Sequence, residues 1–125
     1  MNVTGSALRL IVEDESASAD FLVRHFGFVR QMTGGDFVSV LREDAGATVV
    51  FLRRGRTVIP GDRRDVAATG VGIDLIVDDL AGEATRLERE GVEITMPMRV
   101  ESWGERRFQV RDPNGLVVQL VDWKG

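Results

Sequence analysis

Leu10-Ile11-Val12-Glu13-Asp14 recurs almost unchanged as Leu75-Ile76-Val77-Asp78-Asp79. Four of the five positions are identical at an offset of 65, about half of the 125-residue chain. The segment after each copy repeats as well. Glu15–Phe26 carries Phe21, Leu22, His25 and Phe26 at helical spacing, with Asp14 or Ser16 placed to cap its start and Gly27 to end it. Leu80–Glu90 carries Leu80, Ala84 and Leu87 on one stripe, with Asp79 to cap it and Gly91 to end it.

Both helices lead into alternating, strand-like segments. The first half gives Phe28–Met32, Phe37–Leu41 and Thr48–Leu52. The second gives Val92–Met96, extendable to Val100, then Arg107–Arg111 and Leu116–Trp123. Turn residues separate them: Thr33-Gly34-Gly35, Glu43-Asp44-Ala45-Gly46 and Asp112-Pro113-Asn114-Gly115. Each half therefore reads β-α-β-β-β. The pattern predicts an α+β fold, two tandem βαβββ modules forming a curved mixed sheet with helices on its outer face. One domain is expected, with module 1 over about residues 5–54, a linker over about 55–69 and module 2 over about 70–125. The region around the linker is polar, with Arg53, Arg54, Arg56, Arg63, Arg64 and a Pro60-Gly61 turn. It reads as a solvated crossover, with an anion-binding patch as the lesser alternative.

Period-2 alternation assigns the strand faces. Leu8, Leu10 and Val12 share one face of the first strand, and Ala7, Arg9 and Ile11 the other. Val71, Ile73, Leu75 and Val77 alternate with Gly72, Asp74 and Ile76. Phe108 and Val110 alternate with Arg107, Gln109 and Arg111. Val118 and Leu120 alternate with Val117, Gln119, Val121 and Trp123. The apolar faces should lie under the helices. The mixed faces, bearing Arg9, Asp74, Arg107, Gln109, Gln119 and Trp123, are where a ligand cavity is expected. The last hairpin is the critical register, because a one-residue slip at Asp112–Gly115 would exchange its faces.

Composition narrows the chemistry. There is one histidine, His25, and no cysteine, so no disulfide, thiolate zinc site or cysteine nucleophile is possible, and one chain cannot supply a two-histidine metal site. Twenty acidic residues against 16 basic ones give a net charge of −4, which argues against a nucleic-acid partner. No apolar run approaches the roughly 18 residues of a membrane span. The N-terminal residues show no signal-peptide pattern, so a soluble, cytoplasmic protein is expected. Gly70-Val71-Gly72 opens a strand rather than leading from one into a helix, so it is not a nucleotide fingerprint.

The two modules, the Val-x-Asp junctions at Val12–Asp14 and Val77–Asp79, Phe26-Gly27-Phe28, and the run from Trp103 to Leu120 together resemble the vicinal oxygen chelate superfamily. That group holds glyoxalase I, extradiol dioxygenases, fosfomycin resistance enzymes and bleomycin resistance proteins. The resemblance implies the fold over nearly the whole chain. It also implies metal ligands at three points: a histidine seven residues before the first junction aspartate, a second ligand at the start of the fifth strand, and a glutamate four residues after the glycine of the terminal turn. These positions hold Ala7, Gly72 and Gln119. No imidazole or carboxylate stands at any of them, so no metal and no cofactor are expected. What remains looks like the bleomycin-resistance branch, whose members bind and sequester a bulky molecule, often as homodimers with exchanged elements.

The candidate ligand-binding residues are Arg9, Asp74, Trp103, Arg107, Gln109, Gln119 and Trp123. Trp103, between Ser102 and Gly104, could stack on a planar ligand or cover the core or a dimer interface. Trp123 could serve the ligand or dimer packing. Arg9, Arg107 and Arg111 could hold carboxylates or stack on aromatics, or else form surface pairs with Asp74, Glu13 or Asp122. The echo places Arg9 and Asp74 at equivalent points of related strands, which suggests pairing. Gln119 could bond a ligand or satisfy Arg9. His25 reads as a structural residue in the last helical turn, and Met96-Pro97-Met98 as an apolar wall or edge-strand packing. The expected function is binding and sequestration of a planar or amphipathic, antibiotic-like small molecule by a cytoplasmic homodimer. The alternative is a lyase, isomerase or divergent metal enzyme on the same fold.

Overall fold

The computed structural model describes residues 1–56, 61 and 64–123. The chain divides into two compact units, Met1–Thr69 and Gly70–Gly125. The first runs β1 (Leu8–Val12), α1 (Glu15–Phe26), β2 (Val29–Thr33), β3 (Phe37–Arg42), a short 3-10 turn (Glu43–Ala45) and β4 (Ala47–Arg53). The second runs β5 (Gly72–Ile76), α2 (Leu80–Arg89), β6 (Ile94–Val100), β7 (Glu105–Arg111) and β8 (Val117–Trp123). The expected βαβββ repeat is thus present in both. Its strands pair as two four-stranded mixed sheets, ordered β1-β4-β3-β2 and β5-β8-β7-β6. In each sheet the first strand runs parallel to the fourth and the remaining pairs are antiparallel.

The helices start where an aspartate can satisfy an orphan amide. Asp14 accepts from the Ala17 N–H at 3.1 Å, and Asp79 from the Gly82 N–H at 3.0 Å. Of the two capping candidates for α1, Asp14 takes the role and Ser16 enters the helix. Gly27 ends α1 in the left-handed region (φ 70°), where its N–H and that of Phe28 both return to the Leu22 carbonyl. That use of Phe28 explains why β2 begins at Val29. Likewise the Val92 N–H closes α2 on the Leu87 carbonyl, so β6 begins at Ile94 instead of Val92.

In the first unit, Leu10, Val12, Val38, Val40, Val49 and Phe51 are buried beneath Ala19, Leu22 and Phe26 of α1. In the second, Phe108, Val110, Val118 and Leu120 are buried with Leu80 and Leu87 of α2. Each such Val, Leu or Phe side chain stabilises the fold by about 1.5–3 kcal/mol. Glu15 is also buried, held by a bidentate pair with Arg53: Nε to Oε2 and Nη2 to Oε1, both 2.7 Å. This joins the first turn of α1 to the end of β4. His25 packs edge-on against Phe21, with centroids 5.2 Å apart.

After β4, Arg54 pairs with Glu13 and Arg56 with Asp36, while Arg53 holds Glu15. These three arginines are engaged by the protein's own carboxylates, so they do not form the alternative anion-binding patch. Pro60 and Arg63 lie outside the described residues. Among the described residues no helix is long and apolar enough to cross a membrane.

Candidate functional site

The second unit's sheet places four of the seven candidate residues in one hydrogen-bonded row. Its register is set at the last hairpin. The Asp112 carboxylate accepts from the backbone N–H groups of Asn114 (2.9 Å) and Leu116 (2.8 Å), and Gly115 takes φ 84°. A turn held this way pairs Arg111 with Val117, and then Gln109 with Gln119 and Arg107 with Val121. The face assignment expected for this hairpin is the one observed. On β5, Asp74 stands beside Gln119, and on β6, Met96 stands beside Gln109. Asp74, Gln119, Gln109 and Met96 therefore cross the sheet on neighbouring strands, about 4.8 Å apart.

Gln119 is the centre of this row and is only 7% exposed. Its Nε2 donates to Asp74 Oδ2 at 3.2 Å. Its Oε1 accepts from Gln109 Nε2 at 2.8 Å and from Arg107 Nη1 at 3.2 Å. The neighbours fix the amide's direction: turned over, its NH2 would face two donors and its oxygen a carboxylate.

Arg107 is committed elsewhere as well. Its Nη2 donates to Glu101 Oε1 at 3.0 Å, and its Nε lies 3.5 Å from Glu105 Oε1. That second approach is misaligned, and Nε is buried without a hydrogen-bond acceptor among the described residues. Glu101 and Glu105 also face each other through the backbone, where the Glu101 N–H donates to the Glu105 carbonyl at 2.8 Å. Neither glutamate is among the candidates read from the sequence. They flank Ser102-Trp103-Gly104, which has no period to read, though the charge pattern E-x-x-x-E-x-R was there to find. Trp103 sits on this turn and is 60% exposed. Trp123 ends β8, and its side chain lies outside the described residues.

Arg9 lies on β1 of the first unit, exposed, beside Val50. The 65-residue echo aligns Arg9 with Asp74, and the ladders then align Val50 with Gln119, Ser39 with Gln109 and Met32 with Met96. A valine at the central position cannot relay hydrogen bonds. Ser39 instead donates to Gln31 Oε1 at 3.3 Å. The same architecture thus carries a continuous polar relay in one unit and, in the other, a row that an apolar residue interrupts at its centre. Two expected surface pairs differ in partner: Glu13 binds Arg54, and the buried Asp122 binds Arg106. Arg111 donates to the Gly115 carbonyl at 3.2 Å.

A groove of about 650 Å³ lies elsewhere in the second unit, between α2 and β6. Ala84, Val92, Ile94, Pro97, Met98 and Phe108 line it, with Glu88 and Glu93 among the polar residues. It opens on the helix side of the sheet, as Phe108 shows, and not on the Gln119 face where a cavity was expected. Its cause is in β6, whose pairing with β7 is irregular between Ile94 and Met96 and again between Met96 and Arg99, around Pro97.

The residues at the three metal-ligand positions implied by resemblance do not fit a divalent cation. Gly72 and Ala7 offer no side-chain donor. At Gly72 a Cβ would meet the Val117 carbonyl oxygen at an ordinary 3.5 Å, so packing does not demand the glycine. Gln119 is the sole candidate ligand among the three, and its oxygen already accepts two hydrogen bonds, one from a guanidinium. A cation there would displace both donors and meet the charge of Arg107. Among the described residues no three His, Cys, Asp or Glu side chains are grouped to hold a metal ion.

A family model described as the Glyoxalase/Bleomycin resistance protein/Dioxygenase superfamily matches residues 5–120. Among solved structures, a lactoylglutathione lyase from Agrobacterium tumefaciens is 17% identical with a TM-score of 0.76, covering 97% of this chain and 94% of that one. TioX from a Micromonospora species is 24% identical with a TM-score of 0.68, covering 97% and 99%. A glyoxalase/bleomycin resistance protein/dioxygenase from Nocardioides is 19% identical with a TM-score of 0.73, covering 98% and 85%. At these identities the likeness is one of fold. No curated protein matches the chain.

Proposed function

The chain belongs to the glyoxalase/bleomycin resistance protein/dioxygenase superfamily, and on that premise we propose that it binds a planar or amphipathic, antibiotic-like small molecule without a metal ion and sequesters it. The observation that carries this reading is the engagement of Gln119. Its amide stands where the resemblance implies a carboxylate ligand and is spent on Asp74, Gln109 and Arg107. The row offers fixed polar groups for orienting a ligand and no carboxylate triad for a cation. Exposed Trp103 supplies an aromatic surface at the same end of the sheet as Glu101. Trp123 and Arg9 belong to the same proposed set.

Action as a cytoplasmic homodimer, with or without exchanged elements, is part of this proposal. Leu8, Val29, Met32 and the 73%-exposed Ile76 supply apolar surface on strands at the sheet edges. Sequestration of a toxic molecule would make the protein a resistance factor.

A panel of glycopeptide, quinone and aromatic antibiotics tests the reading through tryptophan fluorescence and melting temperature. Saturable quenching with a raised melting temperature is the expected result. Turnover of a hemithioacetal or epoxide substrate would replace it with an enzyme of the lyase, isomerase or metal-dependent type.

A further inference from the structure

The direction of the hydrogen bonds around Gln119 says which groups of the polar row remain to receive a ligand. The hydrogen bonds of the central relay run inward, and Arg107 Nε, which has no acceptor among the described residues, is buried. Gln119 Nε2 is turned to Asp74, and Gln109 Nε2 and Arg107 Nη1 are turned to Gln119. Arg107 Nη2 is held by Glu101. Beside the second hydrogen of each amide NH2, two acceptors are left over. Asp74 Oδ1 and Gln109 Oε1 have no hydrogen-bond partner among the described residues. They flank Gln119 on adjacent strands, on the same face, and Asp74 is exposed.

The charge points the same way. Asp74, Glu101 and Glu105 stand against Arg99 and Arg107, leaving the cluster one negative charge in excess. The one guanidinium inside the row is neutralised by its own glutamates. A ligand carboxylate would compete with Glu101 for Arg107 and would face the charge of Asp74. An N–H donor needs no displacement. It gains a charge-assisted bond at Asp74 and a neutral one at Gln109.

We propose that this face takes its ligand through a protonated nitrogen seated on Asp74 Oδ1 and Gln109 Oε1, and that it selects against carboxylates. The inference rests on the proposed small-molecule binding and specifies the end group that the site recognises.

Matched amines and carboxylates on phenyl, naphthyl and anthryl bodies, such as 4-phenylbutylamine and 4-phenylbutyrate, test it by ¹⁵N NMR of the side-chain amides. The Gln109 and Gln119 NH2 resonances report the relay directly. The amines are expected to shift both resonances and to bind at least about tenfold more tightly than their carboxylate partners. Asp74→Asn should erase that preference, and Asp74→Glu, which retains the charge, should keep it. Melting curves of both variants confirm folding. Carboxylates that shift the same resonances at equal or lower concentration would overturn the end-group assignment while leaving small-molecule binding in place. If no member of any pair moves either resonance at millimolar concentration, both readings fall together.

Discussion

Gln109 donates its side-chain N–H to Gln119 Oε1 at 2.8 Å, joining two strands at the point where the family resemblance implied a carboxylate ligand. The bond makes Gln119 an acceptor for its neighbours. With Arg107 on the same oxygen, the amide becomes the hub of a relay that ends on Asp74.

Removing the hub should be costly. Gln119→Leu keeps the approximate volume but leaves Gln109 Nε2 and Arg107 Nη1 without their acceptor. A loss of about 1–3 kcal/mol is expected, read as a lower urea midpoint with an unchanged slope. Gln109→Leu removes one bond of the three, so its loss should be smaller.

Acid should weaken the first unit through Glu15. The hydrogen bond from Arg53 holds this carboxyl below its ordinary value of 4.5, against the opposing effect of burial. A lowered folded value means that the pair's stabilisation is complete above about pH 4.5 and is lost as pH falls through the folded value. Glu15→Gln should therefore destabilise the protein at neutral pH, and its deficit against the parent should shrink in acid. Urea denaturation at neutral pH and well below pH 4.5 reads both values.

The two helix caps should behave alike because they are copies. Asp14→Ala and Asp79→Ala each remove one bond to an orphan amide, at 3.1 and 3.0 Å. Each should cost about 1 kcal/mol, and Asn at either position should restore most of it. Thermal melts of the four variants check this.

Much of this arrangement was legible in the sequence because its signals are local. Asp14 and Asp79 mark helix starts, Gly27 and Gly91 mark ends, and α1 runs over Glu15–Phe26 as its spacing predicts. Period 2 grouped Arg107, Gln109, Gln119 and Asp74 as mixed-face residues, but the register at Asp112–Gly115 stayed open in the sequence and is set by the Asp112 carboxylate on the turn amides. Side-chain partnership was not local and was not legible. Glu101 reaches Arg107 across a turn with no periodicity, and Glu105 approaches it from two residues away on β7. The groove beside α2 depends on two irregularities in β6, where Pro97 interrupts an otherwise even alternation. The echo showed that Arg9 and Asp74 are equivalent, but not that Val50 breaks in one unit the relay that Gln119 makes in the other.

Binding without a metal ion is testable by a ligand titration run with and without chelator. The best compound from the antibiotic panel is titrated into the purified protein by tryptophan fluorescence, with metal content measured on the same sample. Substoichiometric metal, the same Kd with and without EDTA, and weaker binding in Gln119→Leu are expected. Stoichiometric metal, together with binding abolished by EDTA and restored by a divalent cation, would contradict it.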